Sequence, residues 1–278
     1  MAPKPPLQHA EARRIISLLQ PLSDERRIIL VGGQAVAFWE RFLEPLYGHA
    51  DRDDSEWLAS KDIDFEGSAR SALRAAELVE GESALPKADH STPNTGLVMY
   101  VDRDGVKREI DFIDQPYGLT ARDVRNTAVE VNLPPRDDVS EATVWIMHPE
   151  RCMESRVFNA SGLAKTDDLA LRQLKSAIRC TRQWSRFLLD SPELTSGEGV
   201  RAVLNLNERI FKRCCKHKAF RDVVLDFDID PFEAVLIEDD RLPDQFLSGR
   251  YGQMCAQIAD RLKRDRANRA RAARRRAT

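Results

Sequence analysis

The sequence predicts an α/β (α+β) fold, in which a mixed β-sheet flanked by helices is followed by an α-helical C-terminal domain. Three observations carry this. Short apolar or alternating runs of strand length, such as Ile28-Ile29-Leu30-Val31 and Asp62-Ile63-Asp64-Phe65, fall within about the first 150 residues. Stretches with apolar residues at helical spacing lie between them. After Pro149 the strand signals fade and helical spacing dominates.

In chain order, Leu7 to Leu19 places apolar residues among charges at helical spacing, and Pro21 breaks that helix. Ile28 to Val31 reads as a buried strand, Gly32-Gly33 as a tight turn, and Gln34 to Leu43 as a helix with Ala35, Val36, Phe38, Trp39 and Phe42 on its apolar faces. A polar loop from about Tyr47 to Ala59 precedes a strand over Lys61 to Glu66. Ser68 is placed to cap a helix running to about Glu80. Thr95 to Val101 and Val106 to Ile113 form a hairpin through Asp102-Arg103-Asp104-Gly105, with Glu109, Asp111 and Ile113 sharing one face. Thr120 caps a short helix, and Val129 to Leu133 and Thr143 to Met147 are further strands. Helices are then expected over Pro149 to Ala160, Asp167 to Leu189, Val200 to His217 and Pro231 to Ile237, and from Pro243 into the tail. This organisation suggests a first domain over 1–150, a helical domain over 151–260 and a basic tail over 261–278.

Composition narrows the function classes. With 42% apolar and 32% charged residues in 278, the chain reads as a soluble globular protein. No apolar run approaches the roughly 18 to 20 residues of a membrane span, and Met1 to Gln8 has no apolar core of a secretory signal. The five cysteines, Cys152, Cys180, Cys214, Cys215 and Cys255, read as reduced residues of a cytoplasmic protein. A formal net charge of -2 conceals a tail, Arg261 to Thr278, with nine Lys or Arg and one Asp. An acidic body with a basic tail excludes broad nucleic-acid binding by the whole surface and leaves the tail as a local RNA contact.

The chemistry centres on Asp62-Ile63-Asp64. A period of two sets both carboxylates on one face, roughly 6.5 to 7 Å apart at Cα. Such a pair suits a hard divalent cation, which takes oxygen ligands and completes its shell with water and substrate phosphate. Asp111 can add a third carboxylate if its strand is a neighbour. Gly32-Gly33, after an apolar strand and before a helix, supplies backbone that an anion can approach closely. Each part alone has a bland explanation; their order along the chain is what informs.

Leu30-Val31-Gly32-Gly33-Gln34-Ala35-Val36, Ser60-Lys61-Asp62-Ile63-Asp64-Phe65 and Glu109-Ile110-Asp111-Phe112-Ile113 resemble the motifs of the polymerase-β-type nucleotidyltransferase superfamily, and within it the abortive-infection (AbiEii/AbiGii-type) toxin nucleotidyltransferases. His148-Pro149, Glu154-Ser155-Arg156, Asn159 and Lys165 resemble the junction to the helical half of bacterial members. The resemblance implies a nucleotidyltransferase fold and Mg²⁺-dependent transfer of NMP from an NTP to a hydroxyl, with two ions and with Mn²⁺ as a substitute. It implies Asp62, Asp64 and Asp111 as catalytic and metal-binding carboxylates, Gly32, Gly33 and Gln34 as nucleotide-binding residues, and Lys165 as a triphosphate contact. The acceptor (tRNA, a protein or a small molecule) is left open, as are a toxin role and an antitoxin partner. Gln34 departs from the Ser common at its position and loses that hydroxyl contact. A catalytically silent nucleotide- or RNA-binding module is therefore the alternative.

Other signals have plainer readings. Asp226-Phe227-Asp228-Ile229-Asp230 lacks a glycine turn upstream and precedes Pro231, so its acids read as helix caps. Cys214-Cys215-Lys216-His217 lacks a second ligand pair at zinc spacing.

Overall fold

The computed structural model describes residues 7–48, 62–87, 92–135 and 139–276. The chain forms two compact units, residues 1–155 and 156–278.

The first unit is built on a seven-stranded sheet among the described residues. Its strands are β1 (Ile29–Val31), β2 (Ile63–Glu66), β3 (Glu82–Ala84), β4 (Asn94–Val101), β5 (Lys107–Ile113), β6 (Val129–Leu133) and β7 (Ala142–Ile146), in spatial order β3-β4-β5-β2-β1-β7-β6. β2 with β5 and β1 with β7 are parallel, and the other neighbours are antiparallel, so the sheet is mixed as expected. The helices are α1 (His9–Leu18), α2 (Gln20–Asp24), α3 (Gly32–Tyr47), α4 (Ala69–Leu78) and α5 (Ala121–Thr127).

Alternation decides which face each strand buries. On β5, Arg108, Ile110 and Phe112 are buried while Glu109, Asp111 and Ile113 are half-buried. Register carries the same division across β2 and β1, because Phe65 stands opposite both Leu30 and Phe112. The Phe65 and Phe112 rings stack at 5.8 Å between centroids. α4 covers this apolar face through small residues: a Cβ on Gly96 of β4 would collide with Ala72 of α4. Trp39 of α3 is fully buried, and its Nε1 donates to the carbonyl of Met147 at 2.8 Å, tying the helix to the end of β7. The β4–β5 turn closes around a buried ion pair, Arg108 Nε to Asp102 Oδ2 at 2.8 Å. Asp102 also accepts from the N–H groups of Asp104 and Val106.

Several expectations are corrected here. Pro21 begins a helix, α2, as well as ending one, because its fixed φ suits a first turn. The helix expected from Gln34 begins at Gly32, with the chain reversal made by that residue's φ of +68°. It runs on to Tyr47 with Pro45 inside it. β3 was not expected, since its three residues are all exposed and only its pairing with β4 defines it. The start of the strand expected at Lys61 and most of the loop from Tyr47 to Ala59 lie outside the described residues.

The second unit is helical. α6 (Pro149–Gly162) begins in the first unit and ends in the second. α7 (Asp168–Asp190), α8 (Ser196–Lys216), α9 (Lys218–Phe227) and α10 (Tyr251–Arg276) follow. Asp167 and Thr195 cap α7 and α8 by accepting from the N–H groups three residues on. Val203, Leu236 and Leu242 form a buried cluster. Fully buried Asn207 fixes the return chain: its amide nitrogen donates to the Leu236 carbonyl at 3.1 Å and its amide oxygen accepts from the Leu236 N–H at 3.3 Å. α9 was not expected, and the helix expected over Pro231 to Ile237 is only a 3₁₀ turn, Pro231–Ala234. Residue 261, expected to open a separate tail, lies inside α10. There Arg221 of α9 pairs with Asp265 at 2.6 Å, and Arg269 pairs with Asp222 at 2.6 Å and with Asp226. The acid run resolves as local structure: Asp230 accepts from Phe232 N–H, and Asp228 ends α9 in the left-handed conformation.

Candidate active site

Three elements place the site in the first unit. β1 is a three-residue, fully buried strand, and at its end the chain turns through Gly32 into α3. β2 runs antiparallel beside it, with Val31 opposite Asp64. β5 runs parallel on the other side of β2, with Asp64 opposite Asp111.

This register brings Gly32, Asp64 and Asp111 together. A Cβ on Gly32 would lie 2.7 Å from Cγ of Asp64 and overlap its carboxylate, so only glycine leaves room for Asp64. The left-handed φ of Gly32 makes the same demand on the backbone. Asp64 and Asp111 stand as neighbours on the face opposite Phe65 and Phe112, both half-buried. Gly33 is buried within the first turn of α3, where helical N–H groups lack intrahelical acceptors.

Asp62 lies one residue before β2 and is half-buried, with Oδ1 out of contact with solvent. Among the described residues, no group of three or more His, Cys, Asp or Glu side chains is placed to hold a metal ion. The structure thus pairs Asp64 with Asp111 and does not draw Asp62 into a common donor group with them. Gln34 is buried and lines a cavity that also takes in Leu30 and Ile63. These two residues belong to the opposite face from Asp64 and Asp111. Lys165 belongs to the second unit, where it is exposed and its N–H donates to the carbonyl of Asn159 at 3.2 Å.

Sequence reasoning passed over Glu66, which continues the alternation of Asp62 and Asp64. It is 1% exposed, and Arg125 of α5 pairs with it at 2.8 Å. Burial pushes its carboxyl above the usual range, against the opposing pull of the Arg125 guanidinium. Glu66 is thereby closed off by its partner, and Asp64 is the acid of this strand that meets Asp111. Arg125 gave no signal in the sequence, because it comes from an element 59 residues further on.

The fold class is shown by this architecture: a mixed sheet with flanking helices, then a helical unit. Among the described residues, no helix is long and apolar enough to cross a membrane. No family model matches the chain, and no curated protein matches its sequence. Among solved structures it is similar to the Megavirus polyadenylate synthase, with 9% sequence identity and a TM-score of 0.37. The alignment covers 82% of this chain and 45% of that one, so the chain spans less than half the length of the protein it resembles.

Proposed function

We propose that the chain is a nucleotidyltransferase that moves an NMP from an NTP to a hydroxyl group. The observation that supports this best is the juxtaposition of Gly32, Asp64 and Asp111 at the mouth of α3. A carboxylate pair offers the hard oxygen donors that Mg²⁺ or Mn²⁺ takes, and such ions keep several waters and bind substrate phosphate, so one or two protein carboxylates suffice. Asp64 and Asp111 would hold the metal, with Asp62 as the third carboxylate of the motif. The bound ions would supply charge stabilisation for attacking and leaving oxygens. Gly32 makes room for the Asp64 carboxylate, and Gly33 follows it in the first turn of α3, whose N-terminus favours an anion. By their match to the motif, Asp111 would also accept the proton of the acceptor hydroxyl and Lys165 would contact the triphosphate. The acceptor is tRNA, a protein or a small molecule. The toxin role and an antitoxin partner rest on the motif resemblance, and the basic tail is the proposed RNA contact.

A second reading, a nucleotide- or RNA-binding module without transfer, is favoured by Gln34, which stands where the motif commonly has Ser and lines a cavity on the other face of the sheet.

Incubation with each α-labelled NTP, Mg²⁺ and total RNA or protein separates the two. Label transfer that disappears in Asp64→Asn with Asp111→Asn supports the enzyme. NTP binding without transfer supports the module. Full transfer by the double variant would sink the proposed site.

A further inference from the structure

A cavity of about 560 Å³ opens in the first unit between α1, α3, β1, β2 and the end of β6. This volume lies in the roughly 300 to 1,000 Å³ range of small-molecule sites. Its walls are predominantly apolar, with Ile16, Leu30, Phe38, Phe42, Ile63 and Leu133 among them. Phe38 and Phe42 stack at 6.1 Å and 13°, forming one rigid aromatic wall. Leu30 and Ile63 show that the cavity is on the face of the sheet opposite Asp64 and Asp111.

Two arginines line the cavity, Arg13 and Arg41, and Arg13 sets it apart. Its Nε and Nη2 are buried without a hydrogen-bond partner among the described residues. The neighbouring Arg14, by contrast, is paired with Glu11 at 2.7 Å. Nε and Nη2 form one edge of the guanidinium, whose two parallel N–H groups match the two oxygens of a carboxylate. Buried polar groups are normally hydrogen-bonded, and a charged donor left without an acceptor is costly.

We infer that this cavity binds a small amphipathic carboxylate, its apolar body against the Phe38–Phe42 wall and its carboxylate on the Nε–Nη2 edge of Arg13. None of the carboxylates of the proposed transfer site lines the cavity, although Gln34, the motif residue next to Gly33, does.

Calorimetric titration of the full chain with octanoate and with 1-octanol tests this. Octanoate is expected to bind roughly tenfold more tightly than the alcohol, as befits a charge-assisted hydrogen bond. Arg13→Gln is expected to erase that preference while leaving octanol affinity unchanged, and Ala37→Phe to block both probes. Arg13 is on a partly exposed position, so its variant should keep the native melting temperature. Equal binding of the two probes, a preference that survives Arg13→Gln, or no binding of either at millimolar concentration would each overturn the assignment. So would displacement of octanoate by ATP, which would make the cavity part of the nucleotide site.

Discussion

Asp64 and Asp111 face each other as direct partners on the parallel strands β2 and β5. Two acids at the same level of adjacent strands repel one another, an arrangement that a sheet tolerates when a cation is shared between them. Asp64→Asn or Asp111→Asn should therefore lower the proposed NMP transfer by roughly 100-fold or more, since even residues that only orient metal ligands cost 10- to 100-fold. Labelled-NTP assays beside thermal melts would show the loss of rate without loss of fold.

Gly32→Ala should act through both strain and collision. The left-handed φ and the overlap with the Asp64 carboxylate together predict a stability cost of about 2 kcal/mol or more. Urea denaturation measures it, and a variant as stable as the native chain would remove Gly32 as the reason Asp64 fits.

Trp39→Phe removes the indole N–H from the Met147 carbonyl at the buried junction of α3 and β7. A cost of about 2 kcal/mol is expected from the lost bond and packing. The Cys152 thiol also donates to this carbonyl at 3.3 Å, so Trp39→Phe with Cys152→Ala should cost more than the sum of the two single changes.

The hairpin turn carries a pH dependence. Burial alone would raise the Asp102 carboxyl, but the Arg108 guanidinium and the Val106 and Asp104 N–H groups outweigh it and hold the carboxyl below its ordinary value. A depressed folded value means that the stabilisation is present above the unfolded-state pKa and is lost as pH falls through the folded one. Asp102→Asn should cost about 3 kcal/mol at neutral pH, where it leaves Arg108 buried without its counter-ion. The difference from the native chain should shrink in acid, as followed by denaturant midpoints across pH.

The sheet was legible wherever a strand buries one face. β1, β4, β5, β6 and β7 all announce themselves by apolar runs or alternation, and the cap signals Ser68 and Thr120 act as caps in the structure. β3 was not legible, because an edge strand with three exposed residues is held by backbone pairing, which leaves no side-chain pattern. The carboxylates of β2 and β5 were legible as types but their meeting was not, since register between strands distant in sequence is fixed by packing of Phe65 on Phe112. Asp62 lies one residue before β2, so the register that pairs Asp64 with Asp111 does not extend to it. The cavity had no sequence signature at all, because its walls converge from α1, α3, β1, β2 and β6.

The pairing of α10 with its surroundings changes what its charge can do. Nine cations in the last 18 residues suggest a strong polyelectrolyte, yet Arg269 is held by Asp222 and Asp226, and Arg264 by Asp260. Cations already neutralised within the protein displace no condensed counterions when a nucleic acid arrives. Each one so engaged removes roughly 0.9 from the slope of log affinity against log salt for a duplex. The RNA contact proposed for this helix should therefore be less salt-sensitive than its arginine content implies, and Asp222→Asn with Asp226→Asn should steepen it.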